Sequence, residues 1–105
     1  MTTSPQKAIG SAAERAIARK LGGSAVRVGQ ALGPIDVQAG YFDLQVKATS
    51  LPLSMNAARR SIEAIPLQAA RLRGLVHVSR PGRGQRSKRT IVFDFDEFCD
   101  WYGEP

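Results

Sequence analysis

A chain of 105 residues, 43% hydrophobic and 23% charged, has the length and composition of one globular domain and leaves no room for a second. Its single cysteine, Cys99, excludes an intramolecular disulfide and a cysteine-cluster zinc site. All fifteen Lys and Arg residues but only four of the nine acids precede residue 94, and such a basic body favours polyanions, because each phosphate neutralised releases condensed counterions.

Residues 1–7 are polar and are expected to be a flexible N-terminus; neither a secretory leader nor a membrane span is expected, so the expected location is the cytoplasm of a bacterial or phage-infected cell. Residues 11–21 are predicted to be helical, with Ile9, Ala13, Ala16, Ile17 and Leu21 at helical spacing, Glu14 beside that stripe and Gly22-Gly23 ending it. A short strand is predicted over 25–28 and a turn-rich link over 29–33. Residues 35–38 and 41–47 read as two strands of a hairpin around Ala39-Gly40, with Asp43, Gln45 and Lys47 on one face of the second. Ser54 is placed to cap a helix running to about Ala64, and Pro66 is expected to start a further helical turn or kink the first. Strands are predicted over 75–79 and 90–95, joined by a glycine-rich basic loop over 80–89. A short helix begins at Asp96, with Phe98, Trp101 and Tyr102 expected to pack inward. The predicted order is α-β-β-β-α-β-β-α in a single domain, 1–105: an α+β fold with a mixed central sheet and flanking helices.

The residues that carry chemistry gather around the hairpin. Asp36 is followed nine residues later by Gln45 and then by Lys47, and a tip of two or four residues is expected to set Asp36 opposite Asp43, with Gln45 diagonal on the same face. Oxygen ligands beside an ammonium group are what Mg²⁺-dependent phosphodiester hydrolysis requires, because Mg²⁺ takes hard oxygen donors and keeps several waters. Lys47 can orient such a water or neutralise charge developing on the scissile phosphate.

An acid on the first helix, then an Asp, then an acid-x-Lys strand resembles the PD-(D/E)XK nuclease superfamily, most closely the small archaeal and phage Holliday-junction resolvases. There a Gly-x-x-x-Glu helix, here Gly10-Ser11-Ala12-Ala13-Glu14, precedes the catalytic hairpin. The resemblance spans most of the chain and implies a restriction-endonuclease-like core, a Mg²⁺ cofactor that Mn²⁺ can replace, and roles for Glu14, Asp36, Gln45 and Lys47. Metal binding would fall on Asp36, Gln45 and Glu14, and hydrolysis would be assisted by Lys47. Two departures stand out: Ile35 separates Pro34 from Asp36, and Gln45 occupies the position of an acid, with Asp43 the candidate to restore the missing carboxylate.

Arg80, Arg83, Arg86, Lys88 and Arg89 lie in a segment without an acid, and arginine forks match phosphate oxygens. Arg15, Arg19, Arg59 and Arg60 are further phosphate candidates, as are the hydroxyls of Thr49 and Ser50. His77, with no second histidine and no cysteine pair, reads as a packing residue rather than a metal ligand. The functional expectation is a structure-selective endonuclease of branched DNA in recombination and repair, suited to a phage. Paired cuts across a four-way junction imply a homodimer. A catalytically weak DNA-binding module on the same fold, a nuclease of flaps or linear DNA, and an unrelated basic RNA-binding protein are the alternatives.

Overall fold

The computed structural model describes residues 5–22, 26–27, 33–80, 84 and 86–103. Helix α1, Pro5–Leu21, starts earlier than its apolar stripe suggests. Proline is accommodated in a first turn, where its missing N–H has no intrahelical partner, so residues 5–7 belong to the helix rather than to a flexible lead-in; residues 1–4 lie outside the described residues. Ile17 anchors α1, buried against Val37, Leu44 and Val76, whereas Ala16 and Leu21 of the predicted stripe are exposed. The helix stops at Gly22, whose φ of 101° suits a residue without Cβ.

One five-stranded mixed sheet follows, in the order β1 (Val26–Arg27), β2 (Val37–Ala39), β3 (Phe42–Thr49), β4 (Leu72–Ser79) and β5 (Arg89–Phe93). Every neighbouring pair is antiparallel except β3–β4, which is parallel. A parallel pair needs a crossover, and α2, Met55–Glu63, supplies it. Much of the predicted link over 29–33 lies outside the described residues, as do Ala25 and Val28 of the first predicted strand. The element order is the one the sequence pattern predicts.

Strand alternation divides the core between two layers. Val37, Leu44 and Val76 point to the face that α1 covers, with Phe42 and Phe93 alongside. Leu75 points to the other, against Ala58 and Ile62 of α2. Ser54 caps α2, its Oγ accepting from the Ala57 N–H at 3.1 Å. The helix ends at Ala64 and does not resume at Pro66: residues 66–68 are irregular, and a turn at Ala69-Ala70, with Ala70 at φ 65°, leads into β4. Pro66 bars helical geometry from the residue before it, and Ile65 instead inserts into the core, fully buried. Strand β4 starts at Leu72, three residues before the predicted 75–79 strand.

Helix α3, Phe95–Tyr102, starts one residue earlier than predicted, because Asp94 is the cap and accepts from the Glu97 N–H at 3.0 Å. Phe98 and Trp101 pack inward as expected, Trp101 on Phe42 with ring centroids 5.2 Å apart and Phe98 on Phe93 at 6.4 Å. Tyr102 does not, and is 64% exposed.

Gly74 lets Phe93 lie across β4. A Cβ there would stand 2.6 Å from Phe93 Cδ1 and nearer still to Cε1, with Leu44 Cδ2 behind at 3.2 Å. Gly74→Ala is therefore expected to destabilise the domain by about 1–3 kcal/mol through overpacking. Chemical denaturation checks this: the midpoint should fall with the m-value unchanged.

Candidate active site

The β2–β3 hairpin turns over a Gly40-Tyr41 tip, so that Ala39 pairs with Phe42, Gln38 with Asp43 and Val37 with Leu44. This register corrects the expected pairing: Asp43 lies opposite Gln38, and counting one pair back brings Gln45, not Asp43, level with Asp36. At that point the regular ladder gives way. The Asp36 N–H donates to Leu44 O at 2.9 Å, and the Asp36 carboxylate accepts the Val46 N–H at 2.8 Å. A side-chain oxygen thus takes a backbone partner's place, and the Asp36 carboxyl is held at Val46 of β3.

Glu14 reaches the same point from α1 and hydrogen-bonds the Asp36 carboxyl. Asp36 titrates above its ordinary 3.8. Burial is the largest cause, and the charge and hydrogen bond of Glu14 add to it; the Val46 N–H and the Lys47 ammonium pull the other way. Two carboxyl groups in contact repel when both are ionised, which favours a proton on Asp36.

Continuing the register one pair sets Asp36 opposite Gln45. Its Oε1 is buried and, among the described residues, is the buried side-chain polar atom that has no hydrogen-bond partner. An unpaired buried acceptor costs about 1–3 kcal/mol, and a cation shared with Asp36 and Glu14 would satisfy it. Lys47 stands two residues further along β3 with an exposed side chain. Two carboxyl groups, with an amide oxygen if Gln45 turns to them, would form a hard donor set of the kind that suits Mg²⁺ or Mn²⁺. Among the described residues no three His, Cys, Asp or Glu side chains gather in one place.

Asp43 does not join them. It is 1% exposed, and its Oδ1 accepts from Arg71 Nε at 2.7 Å and from Gln38 Nε2 at 2.9 Å. Arg71 also donates to Phe42 O at 3.2 Å. Sequence reasoning missed Arg71: it lies 28 residues from Asp43, beyond an irregular segment, and no local pattern links the two. His77 is a satisfied packing residue, as expected. Its Nε2 lies 2.8 Å from Thr49 Oγ1, which donates to Leu51 O at 2.7 Å, so the imidazole N–H is the donor between them. That leaves the Thr49 hydroxyl engaged and Ser50 exposed.

Among the described residues the remaining basic candidates are exposed, and charge is polarised along the sheet. Arg80, whose N–H donates to Thr49 O, together with Arg86, Lys88 and Arg89, lies at the C-terminal ends of β3 and β4, the end toward which Lys47 stands. Ser79 closes this loop, donating its N–H to Lys88 O at 2.8 Å and accepting the Lys88 N–H on Oγ at 2.9 Å. Arg83 and Gly82 lie outside the described residues. Asp94, Asp96, Glu97 and Asp100 follow β5 at the opposite end, where Arg73 pairs with Glu97 at 2.8 Å. Arg15, Arg19 and Arg60 are exposed on their helices, while Arg59 lines a groove with Glu63, Asp94 and Glu97 and so faces the acidic end.

Comparison with protein-family models, with curated proteins and with solved structures finds no match to this chain.

Asp36→Asn removes the buried charge, keeps an acceptor for Val46 and can donate to Glu14, so it should raise Tm by a few degrees in metal-free buffer. A raised carboxylate pKa penalises the folded state only where the group ionises. The gain should therefore be absent below pH 3.8, grow as pH rises through Asp36's elevated value and then stay level. Calorimetry across that range checks it.

Proposed function

We propose that this chain is a metal-dependent, structure-selective DNA endonuclease with a restriction-endonuclease-like core of the PD-(D/E)XK kind, acting on branched DNA as a Holliday-junction resolvase does. The observation that supports the reading is the meeting of Glu14 with Asp36, whose carboxylate takes the Val46 N–H, near Lys47. Glu14, Asp36 and Gln45 would hold the cation. When bound, it would supply Lewis-acid polarisation of a phosphoryl oxygen and lower the pKa of a water.

The chain's own residues do the rest. The Val46 N–H orients the Asp36 carboxylate before substrate arrives. Lys47, exposed and next to that carboxylate, brings a positive charge to the scissile phosphate and can hydrogen-bond a water aligned on it. Arg80, Arg86, Lys88 and Arg89, at the same end of the sheet, follow the phosphate backbone without reading bases, which suits recognition by DNA shape rather than by sequence. A homodimer is the assembly that two symmetric cuts require.

The test is incubation of labelled linear, flap and four-way DNA with Mg²⁺, with Mn²⁺ and with chelator. Metal-dependent cleavage with preference for the four-way substrate is expected. Cleavage of flaps or ends alone would move the substrate class; branched-DNA binding without cleavage under any metal would leave a DNA-binding module in which Gln45 has replaced the acid. Replacing Arg86, Lys88 and Arg89 by Ala should lower the log–log salt slope of binding by about 0.9 for each phosphate that is no longer neutralised. An unchanged slope would take the loop out of the interface.

A further inference from the structure

We propose that the outer edge of β5 is a self-association surface, on which a second copy of this chain pairs its own β5 antiparallel about Ile91. Among the described residues the sheet ends at β5. The bond from Ser79 N–H to Lys88 O makes that pair a hydrogen-bonded one, and bonding alternates along an antiparallel ladder. In the register that pairs His77 with Thr90 and Leu75 with Val92, Thr90 and Val92 therefore turn their peptide groups toward β4. Arg89, Ile91 and Phe93 turn theirs outward, to an edge along which no described strand lies.

Such a row of free donors and acceptors is a template for another strand. The side chains along it are suited to being covered. Ile91 is 47% exposed and Leu21 of α1 is 44% exposed, and with Ile17 and Val76 they border an apolar groove of about 290 Å³ beside the edge. Two Ile91 side chains meeting across a two-fold axis would each close the other's groove.

Charge selects the occupant and its direction. The strand is flanked by Lys88 and Arg89 at its start and by Asp94 and Asp96 just beyond its end. Antiparallel pairing about Ile91 sets Lys88 of each copy opposite Asp94 of the other, and Arg89 opposite Phe93. Parallel pairing would align like charges instead. In the antiparallel arrangement Ile91 with Ile91, and Arg89 with Phe93 twice over, form the hydrogen-bonded pairs, so the outward peptide groups are satisfied and the two sheets become one.

Edge geometry and charge order carry the proposal without the nuclease reading, and its test uses mass rather than activity. Sedimentation at micromolar concentration should give a dimer, twice 11.4 kDa. Ile91→Lys, which puts two ammonium groups on the axis, should raise the dimer Kd about a hundredfold or more with the circular dichroism unchanged. Lys88→Glu alters an exposed side chain and leaves the backbone bonds to Ser79 in place; it should weaken the dimer about tenfold. Ile91→Cys in a Cys99→Ser background should link two chains across the axis under mild oxidation. A wild type that is monomeric throughout the micromolar range, or a dimer that persists in Ile91→Lys and forms no link at position 91, overturns the proposal.

Discussion

Lys47→Ala and Asp36→Asn are each expected to reduce Mg²⁺-dependent cleavage of branched DNA by on the order of 10²–10⁴, and for different reasons. Asp36→Asn removes a charged donor from a site of two carboxyl groups and one amide, so metal affinity should fall and added Mg²⁺ should recover part of the rate. Lys47→Ala leaves the donors intact, so metal affinity should hold and added Mg²⁺ should recover nothing. Gln45 separates the site from its neighbours most sharply. Gln45→Glu puts a third carboxylate beside Asp36 and Glu14, which should destabilise the metal-free protein and strengthen metal binding, lowering the Mg²⁺ requirement. Gln45→Ala removes the buried orphan acceptor, so it should be mild for folding and raise the Mg²⁺ requirement markedly. Calorimetric titration with Mn²⁺ reads these affinities without reference to cleavage. Equal Mn²⁺ affinity in wild type, Asp36→Asn and Gln45→Ala would remove the metal site and the catalytic assignment with it.

How much of this was legible beforehand follows from the range of the interactions concerned. The Ser54 cap, the α2 boundary and the alternation of β3 are local, and the residues that set them are neighbours in sequence. The meeting of Glu14 with Asp36 was expected from the family resemblance rather than from spacing, which says nothing of how a helix lies against a hairpin. Register was harder: a slip of one pair decides whether Asp43 or Gln45 stands beside Asp36, and only the two-residue tip fixes it. The start of β4 at Leu72 was hidden because Ile65, Ala69 and Leu72 continue a helical spacing past Pro66. Asp43 was the deepest ambiguity, since a carboxylate on the site's face reads as a ligand until the arginine that claims it is located. That arginine sits on another element, and its position is a property of the tertiary structure alone.

The second large effect is expected at this ion pair. Arg71→Ala should cost about 3–5 kcal/mol, on the order of 15 °C or more in Tm, because it leaves the Asp43 carboxylate buried with only the Gln38 amide as side-chain partner. The pair ties the hairpin tip to the residue before β4: Leu72 N–H donates to Tyr41 O at 2.8 Å beside it, and Arg71 holds both Asp43 Oδ1 and Phe42 O. Attraction alone does not explain the cost, since bringing two charges out of water offsets much of it; the loss comes from stranding one of them. Replacing both partners is therefore the informative variant. Arg71→Met with Asp43→Leu keeps volume and removes the stranded charge, and most of the single variant's loss should return, within about 1–2 kcal/mol of wild type. The double variant should also retain Mn²⁺ affinity, because neither residue belongs to the group around Asp36. If Arg71→Ala unfolds at the wild-type denaturant midpoint, the pair is solvated and does not set the register. If the double variant folds but loses the metal, Asp43 is a ligand after all, and Gln45 yields the position argued for it.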